Sequence, residues 1–146
     1  MGKSTGRRAA APAKRRAPSD PRAVARAYLE AFGNKQWDRL AELLHPDVEF
    51  KGPGGSFHNA RDLMAAIRRM DPVLLRADLK RVFSERDEAF IRYDLVTNTS
   101  VGPVDTVELL KVEDGLVRSI WLMFDQAAWS AALSEAAGRQ AAQPTA

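Results

Sequence analysis

An arginine and an aspartate lie two residues apart in the otherwise apolar segment FIRYDLV, residues 90–96. If this segment is a β-strand, its side chains alternate between two faces, and Arg92 and Asp94 share one of them. The opposite face then carries Ile91, Tyr93 and Leu95. The charged pair is either a polar site at the bottom of an apolar pocket or an ordinary ion pair on the surface. Alternation alone favours the surface, because the other three residues make the better core face.

Composition limits the other kinds of site. The chain has 146 residues and no cysteine, which excludes disulfides, thiolate metal ligands and a cysteine nucleophile. Its histidines, His45 and His58, are thirteen residues apart without neighbouring ligands, so we expect no metal and no cofactor. The sequence lacks the roughly 20-residue apolar run of a membrane span and the apolar segment of a signal peptide. We therefore expect one cytoplasmic domain without membrane contact.

The positive charge is concentrated at the N-terminus. Residues 1–20 hold six basic residues and one acidic residue, so the remainder has 16 basic and 18 acidic residues. This segment is rich in Ala, Pro, Ser and Gly, which predicts a disordered basic tail. The tail either makes weak contacts with polyanions or is only a solvated extension. The Ala-rich segment 134–146 predicts a frayed C-terminal tail, which leaves residues 21–133 as the folded domain.

Helical patterns come before strand patterns in the chain. The helical patterns run from a Ser19 or Asp20 cap to Gly33, from Trp37 to the HPD motif at 45–47, and from Asn59 and Asp62 to Met70. Four strand-like runs follow Pro72, namely VLLRADLKRVFSE, AFIRYDLVTNT, PVDTVELLKVE and LVRSIWLMF. This order predicts an α+β fold in which three N-terminal helices pack on a curved, mainly antiparallel sheet. Such a cone-shaped fold is expected to enclose an apolar pocket.

Three segments resemble the nuclear transport factor two-like superfamily. They are AYLEAFGNKQWDRLAELLHPDVEF, FHNARDLMAAI and VELLKVEDGLVRSIWLMFD. The superfamily includes ketosteroid isomerase, SnoaL-type polyketide cyclases and limonene-1,2-epoxide hydrolase, together with transport adaptors. The resemblance therefore implies the fold and leaves the activity open.

Limonene epoxide hydrolase has an Arg-x-Asp on the strand that corresponds to FIRYDLV. Arg92 and Asp94 match this pair, so the resemblance implies that Asp94 is a general base and that Arg92 holds the water. The second aspartate of that mechanism falls on Leu122, and its water-positioning tyrosine and asparagine fall on Phe50 and Gly52. Only half of the hydrolase site is therefore present.

Ketosteroid isomerase leaves a different partial match. Its helix tyrosine corresponds to Tyr28 and its protonated carboxylic acid to Glu108, whereas its aspartate base is replaced by Gly52. The resemblance therefore implies the donor half of an isomerase site without the base. Tyr28 also fits an ordinary core position on an apolar helical stripe, and Glu108 also fits a dimer face.

The two partial matches together predict one pocket. Its catalytic residues would be Tyr28, Arg92, Asp94 and Glu108, with Asp94 ionised beside Arg92 and Glu108 as the acid. The predicted apolar wall consists of Phe32, Phe50, Leu110, Ile120, Leu122 and Phe124. In this arrangement Arg92 and Asp94 face inward, against the preference of simple alternation.

Tyr93, Trp121 and Met123 would then share the outer face of the sheet. A row of exposed apolar residues often marks an interface, so we expect a homodimer through this face. Three functions stay open: an enzyme of hydrolase or isomerase type, a noncatalytic binder of a small hydrophobic molecule, and an interaction module with a polyanion-binding tail.

Overall fold

The computed structural model describes residues 20–142, which form four helices and one six-stranded sheet. In chain order the elements are α1 (Pro21–Gly33), α2 (Trp37–Glu42), β1 (Leu44–Gly52), β2 (Gly55–Phe57), α3 (Ala60–Arg68), β3 (Leu74–Glu85), β4 (Glu88–Thr97), β5 (Val104–Glu113), β6 (Leu116–Phe124) and α4 (Gln126–Ala142). The spatial order of the strands is β2-β1-β6-β5-β4-β3, and β1 pairs with β6 in parallel. The other pairings are antiparallel. The predicted α+β fold with a curved, mainly antiparallel sheet is confirmed.

Local capping defines where two of the helices begin. The side chain of Asp20 accepts a hydrogen bond from the backbone N–H two residues ahead and caps α1, which ends at Gly33 as predicted. Asn59 caps α3 by accepting the backbone N–H of Asp62 at 2.8 Å. Each cap satisfies a donor that the first helical turn would otherwise leave unpaired.

The HPD motif lies in a strand, which differs from the prediction. α2 ends at Glu42, and β1 begins at Leu44 and runs through Pro46. Pairing of β1 with β6 passes directly from Leu44 to Glu49, so the intervening residues form no regular ladder. Pro46 is tolerated there because the irregular stretch does not require its missing N–H.

The fourth helix was not predicted. α4 continues through Ala142, so most of the segment that was expected to be frayed is helical. Ser100 donates to the carboxylate of Glu135, and Arg139 donates to the side-chain oxygen of Asn98, which ties α4 to the loop after β4. Residues 1–19 and 143–146 lie outside the described residues, and the predicted basic tail falls in the first of these ranges.

The core lies between the helices and the inner face of the sheet, and α1 packs across β3, β4 and β5. The largest fully buried side chains include Leu40, Leu63, Leu74, Ile91 and Leu110. In β4 the buried positions alternate regularly, so Ile91, Tyr93 and Leu95 point inward. In residues 20–142, no helix is long and apolar enough to span a membrane.

Candidate ligand cavity

A cavity of about 330 Å³ lies between the helices and the inner face of the sheet. Its wall is mainly apolar and includes Phe32, Phe50, Phe57, Leu63, Ala66, Ile67, Met70, Leu95, Leu122, Phe124 and Trp129. Polar groups reach it from Tyr28, Tyr93, Thr106, Glu108 and Arg69. An apolar wall with a few convergent polar groups is typical of sites for small molecules.

A larger groove of about 670 Å³ lies between α1 and β3. The charged residues that line it are Arg26, Glu30, Arg76 and Asp78, and none of them is buried. Arg76 forms an ion pair with Asp78, so part of this charge is already neutralised within the groove. The smaller cavity is the stronger candidate because a buried ionisable group lies in its wall.

That buried group is Glu108, which is bound by two tyrosines. The hydroxyl of Tyr28 donates to Oε1 of Glu108 at 2.7 Å, and the hydroxyl of Tyr93 donates to Oε2 at 2.5 Å. Glu108 is 3% exposed, and the tyrosines are 4% and 2% exposed, respectively. The two phenols therefore hold both carboxylate oxygens at the most buried end of the cavity.

The secondary structure explains why these three side chains meet. Tyr28 lies on the buried stripe of α1, and α1 crosses the inner face of the sheet. In the antiparallel pair of β4 and β5, Ile91 is opposite Glu108, and Tyr93 is opposite Thr106. Tyr93 and Glu108 are thus diagonal neighbours on one face, a separation that a long side chain can bridge.

Burial and hydrogen bonding have opposite effects on the acidity of Glu108. Burial raises the pKa of Glu108, because the charged form loses its hydration, and the hydrogen bonds from Tyr93 and Tyr28 lower it in part. Burial also raises the pKa of both tyrosines well above the usual value, and the nearby Glu108 carboxylate raises it further. The phenols therefore stay protonated and act as donors, while Glu108 is the group of the three that exchanges a proton more readily.

Arg92 and Asp94 lie on the outer face of the sheet, so the prediction that they face inward is wrong. The side chain of Arg92 is 51% exposed and binds Asp105 with two hydrogen bonds, of 3.0 and 3.1 Å. Asp94 forms a 3.1 Å ion pair with Lys80. Neither residue lines the cavity. The physical reason is the two-residue repeat of β4: because Tyr93 points inward, its neighbours on either side point outward.

The outward position of Asp94 also corrects its predicted role. A carboxylate on the outer face cannot accept a proton from a molecule bound on the inner face. The Arg-x-Asp pair of the epoxide hydrolase pattern is therefore not assembled inside this cavity. Leu122, the counterpart of the second hydrolase aspartate, lies directly opposite Glu108 in the pairing of β5 with β6.

The other predicted residues fall into two groups. Tyr28 and Glu108 line the cavity together with Phe32, Phe50, Leu122 and Phe124. Leu110 and Ile120 are buried in the core and do not belong to the lining.

Sequence reasoning named six of the seventeen residues that line the cavity, and three of the eleven that it missed are Tyr93, Trp129 and Arg69. Tyr93 was expected on the outer face with Trp121 and Met123, which is wrong, although the alternation within FIRYDLV indicated its inward position. Trp129 belongs to α4, which no pattern predicted, and its ring packs against Phe124 at a centroid distance of 6.2 Å. Arg69 follows the last residue of α3, and nothing in its sequence context indicated a place at the cavity.

Comparisons with known proteins identify the fold. The solved structures that resemble this one include a protein from Kribbella flavida, with 20% identity, a TM-score of 0.73, and coverage of 80% of this chain and 96% of that one. An NTF2-like protein from Cytophaga hutchinsonii has 17% identity, a TM-score of 0.66, and coverage of 80% and 98%. An LEH-like epoxide hydrolase from M. tuberculosis has 16% identity, a TM-score of 0.66, and coverage of 84% and 96%. At these identities the likeness shows the fold alone.

No curated protein matches the chain. The model of the SnoaL-like domain matches residues 25–120, which is more than half of the sequence. This range contains most of α1, the first five strands, the first half of β6, and the Tyr28, Tyr93 and Glu108 cluster. The predicted membership of the nuclear transport factor two-like superfamily is thereby confirmed. The chain belongs to the SnoaL-like domain family.

Proposed function

We propose that this protein binds a small, mainly apolar molecule in the cavity and that Glu108 exchanges a proton with the polar group of that molecule. The observation that carries the proposal is a buried carboxyl, held by Tyr28 and Tyr93, in an otherwise apolar wall. A buried acid is costly compared with an aliphatic side chain of similar size. A cluster of this kind is therefore better explained by a chemical role than by packing.

The cluster offers two modes of interaction. When Glu108 is ionised, it accepts both phenol hydrogens and still has lone pairs for a hydroxyl or amine of the ligand. When it is protonated, its own O–H can donate to the oxygen of one tyrosine. The hydrogen of that phenol is then free to donate to a carbonyl or alkoxide of the ligand. One proton thus switches the floor of the cavity from an acceptor to a donor.

The reaction best suited to this arrangement is proton transfer at a carbon beside a carbonyl group, as in an isomerase. Glu108 would take or return the proton, and a tyrosine would donate to the developing oxyanion. The likeness of Tyr28 to the helix tyrosine of ketosteroid isomerase supports the donor role of that tyrosine. Glu108 would have a different role here, because its counterpart in that enzyme is a protonated donor and the aspartate base of that enzyme falls on Gly52. Epoxide hydrolysis is less well supported, because Asp94 lies outside the cavity and Leu122, Phe50 and Gly52 stand where that mechanism uses polar groups.

Noncatalytic binding is the second candidate. Within residues 20–142, Glu108 is the single carboxyl that lines the cavity. An isomerase that uses one carboxyl as the acid and another as the base needs a second carboxyl, whereas a binding protein needs only one polar anchor. This observation favours a carrier or sensor of a small hydrophobic molecule.

Ligand binding can be tested by filling the cavity. Ala66 lines it from α3, whereas the adjacent Ala65 is exposed and does not. We expect Ala66→Trp to abolish the thermal shifts that small cyclic ketones, phenols and short carboxylic acids produce in wild type, because the indole occupies the binding volume. Ala65→Trp, the matched control, should bind like wild type. Equal binding by both variants would contradict the cavity as the site.

Catalysis can be tested by solvent exchange. Compounds that bind and carry a C–H beside a carbonyl are incubated in D₂O with the protein, and deuterium incorporation is followed by NMR. Wild type should accelerate incorporation. In Glu108→Gln the rate should fall about a hundredfold or more, which is the lower end of the contribution of general acid–base catalysis. An unchanged rate in Glu108→Gln would refute the role of Glu108. Binding without exchange in wild type would favour the noncatalytic candidate.

We also propose that a second copy of the chain covers the outer face of the sheet. In strand register, Trp121 is opposite Leu109, Leu109 is opposite Phe90, and Phe90 is opposite Phe83, which makes one apolar row across four strands. The two end residues of the row are at least half exposed. The Arg92 and Asp105 ion pair beside the row supplies both signs of charge, which suits a self-complementary interface.

A further inference from the structure

Two charged residues line the cavity at different depths. Glu108 is buried at its floor, whereas Arg69 is exposed at the C-terminal cap of α3. The wall between them is largely apolar. The cavity therefore has an acidic floor and a basic mouth.

The guanidinium of Arg69 is free to bind a ligand. Within residues 20–142 it has no carboxylate partner, and Asp71, the nearest acid along the chain, is bound by other groups. Asp71 accepts a hydrogen bond from Trp37 at 2.9 Å and forms an ion pair with Lys35 at 3.2 Å. The neighbouring Arg68, in contrast, contacts a carboxylate, that of Asp38 at 3.5 Å.

We infer that the molecule bound in this cavity is a small monocarboxylate whose carboxylate binds Arg69 and whose apolar body fills the space towards Glu108. The inference rests on the proposed function and adds the chemical class of its ligand. The guanidinium is planar and presents parallel N–H donors, which fit a carboxylate with two hydrogen bonds. A neutral ligand would leave these donors bound to water alone, without an ion pair.

The size of the cavity limits the ligand further. Ligand sites commonly measure about 300 to 1,000 Å³, and 330 Å³ lies at the lower end of this range. A compact ring or a short chain fits this volume better than a polycyclic molecule. At the floor, a hydroxyl or keto group on the apolar body would meet Glu108 and its two tyrosines. The favoured class is therefore a short oxo or hydroxy carboxylic acid with an apolar middle.

The test compares matched compounds and variants of two adjacent arginines, Arg69 and Arg68. Each set consists of a carboxylic acid, its methyl ester and its primary amide on the same apolar body, for example a short aryl or cycloalkyl keto acid. Dissociation constants are measured by calorimetry for wild type, Arg69→Met and the control Arg68→Met. In wild type and in Arg68→Met, the acids should bind at least about tenfold more tightly than their esters, a difference of about 1.4 kcal/mol in binding free energy. Arg69→Met should lose this preference while still binding the esters.

Salt dependence gives a second measurement. Acid binding to wild type should weaken as ionic strength rises, whereas ester binding should change little, because only the acid forms an ion pair at the exposed mouth. The inference is overturned if esters or amides bind as tightly as the acids, or if the acid preference survives in Arg69→Met. In those cases the proposed function still holds if the compounds bind wild type but do not bind Ala66→Trp. If no compound of any set binds at millimolar concentration, both the inference and the proposed function fail.

Discussion

Replacing Glu108 with glutamine should change how stability depends on pH. Burial raises the pKa of Glu108 above the ordinary value of a glutamate. At pH values between the unfolded and the folded pKa, the folded protein therefore holds a proton there that the unfolded chain has already released. Within this window the contribution of Glu108 to the free energy of unfolding decreases as pH rises, and above the folded pKa it levels off. Glu108→Gln has no such proton. We therefore expect the stability of the variant relative to wild type to increase with pH through the window.

The slope of that difference has a physical limit. One proton bound by the folded state alone gives at most about 1.4 kcal/mol per pH unit. Both Tyr28 and Tyr93 lower the pKa of Glu108 through hydrogen bonds. Tyr28→Phe removes one of these bonds and should therefore raise the pKa further. When Glu108→Gln is made in the Tyr28→Phe variant, its free energy of unfolding relative to that variant should keep increasing to a higher pH than it does in wild type.

Urea unfolding at intervals between pH 4 and pH 8 measures the effect. The quantity of interest is the difference in free energy of unfolding between Glu108→Gln and wild type at each pH, because the contributions of the other titrating groups cancel in this difference. A difference that is constant over this range would show that Glu108 titrates alike in the folded and unfolded states. A difference that falls with pH would show that the hydrogen bonds outweigh burial. Either result would refute the electrostatic account of the cavity floor.

Other variants test the remaining parts of the structure. Tyr28→Phe should lower the free energy of unfolding by about 1 to 3 kcal/mol, because the buried Glu108 carboxyl loses a hydrogen-bond partner, as urea unfolding can measure. Arg92→Met and Asp94→Asn should keep the urea midpoint close to wild type, because both side chains lie on the outer face; strong destabilisation would contradict that position. Trp121→Glu should convert a dimer into a monomer in sedimentation experiments, whereas a wild-type monomer at tens of micromolar would exclude the dimer. Deleting residues 1–19 should weaken binding to duplex DNA at low salt, and equal affinity of both forms would show that the tail has no such role.

Local signals in the sequence were sufficient for most of the fold. The caps at Asp20 and Asn59 depend on side chains that bond to backbone groups two or three residues away, so a short stretch of sequence contains the whole interaction. β4 and β5 show a two-residue repeat of buried positions, and short turn signals separate the strands from β3 to β6. α4 was missed because its Ala-rich segment has little amphipathic pattern. Its order depends on distant contacts such as that of Ser100 with Glu135.

The candidate site was predicted less well than the fold. Tyr28 and Glu108 were named from the resemblance, and both lie at the cavity. Arg92 and Asp94 were expected inside because the resemblance outweighed the simple alternation of β4. A one-residue change of register exchanges the two faces of a strand, so a motif match at low identity cannot fix which face a residue occupies. Following the alternation would have placed Tyr93 inside, where it binds Glu108.

The proposed function requires that Glu108 contacts the molecule bound in the cavity. This contact can be followed through the ¹³C NMR signal of the Glu108 side-chain carboxyl, which is identified by its absence in Glu108→Gln and recorded over pH with and without a bound compound. We expect the signal to titrate above the usual range of a glutamate, and we expect a bound compound to change both its chemical shift and its pKa. If a compound binds wild type but not Ala66→Trp, and the Glu108 signal and its titration stay unchanged, Glu108 does not act on the ligand and this requirement of the proposed function is not met.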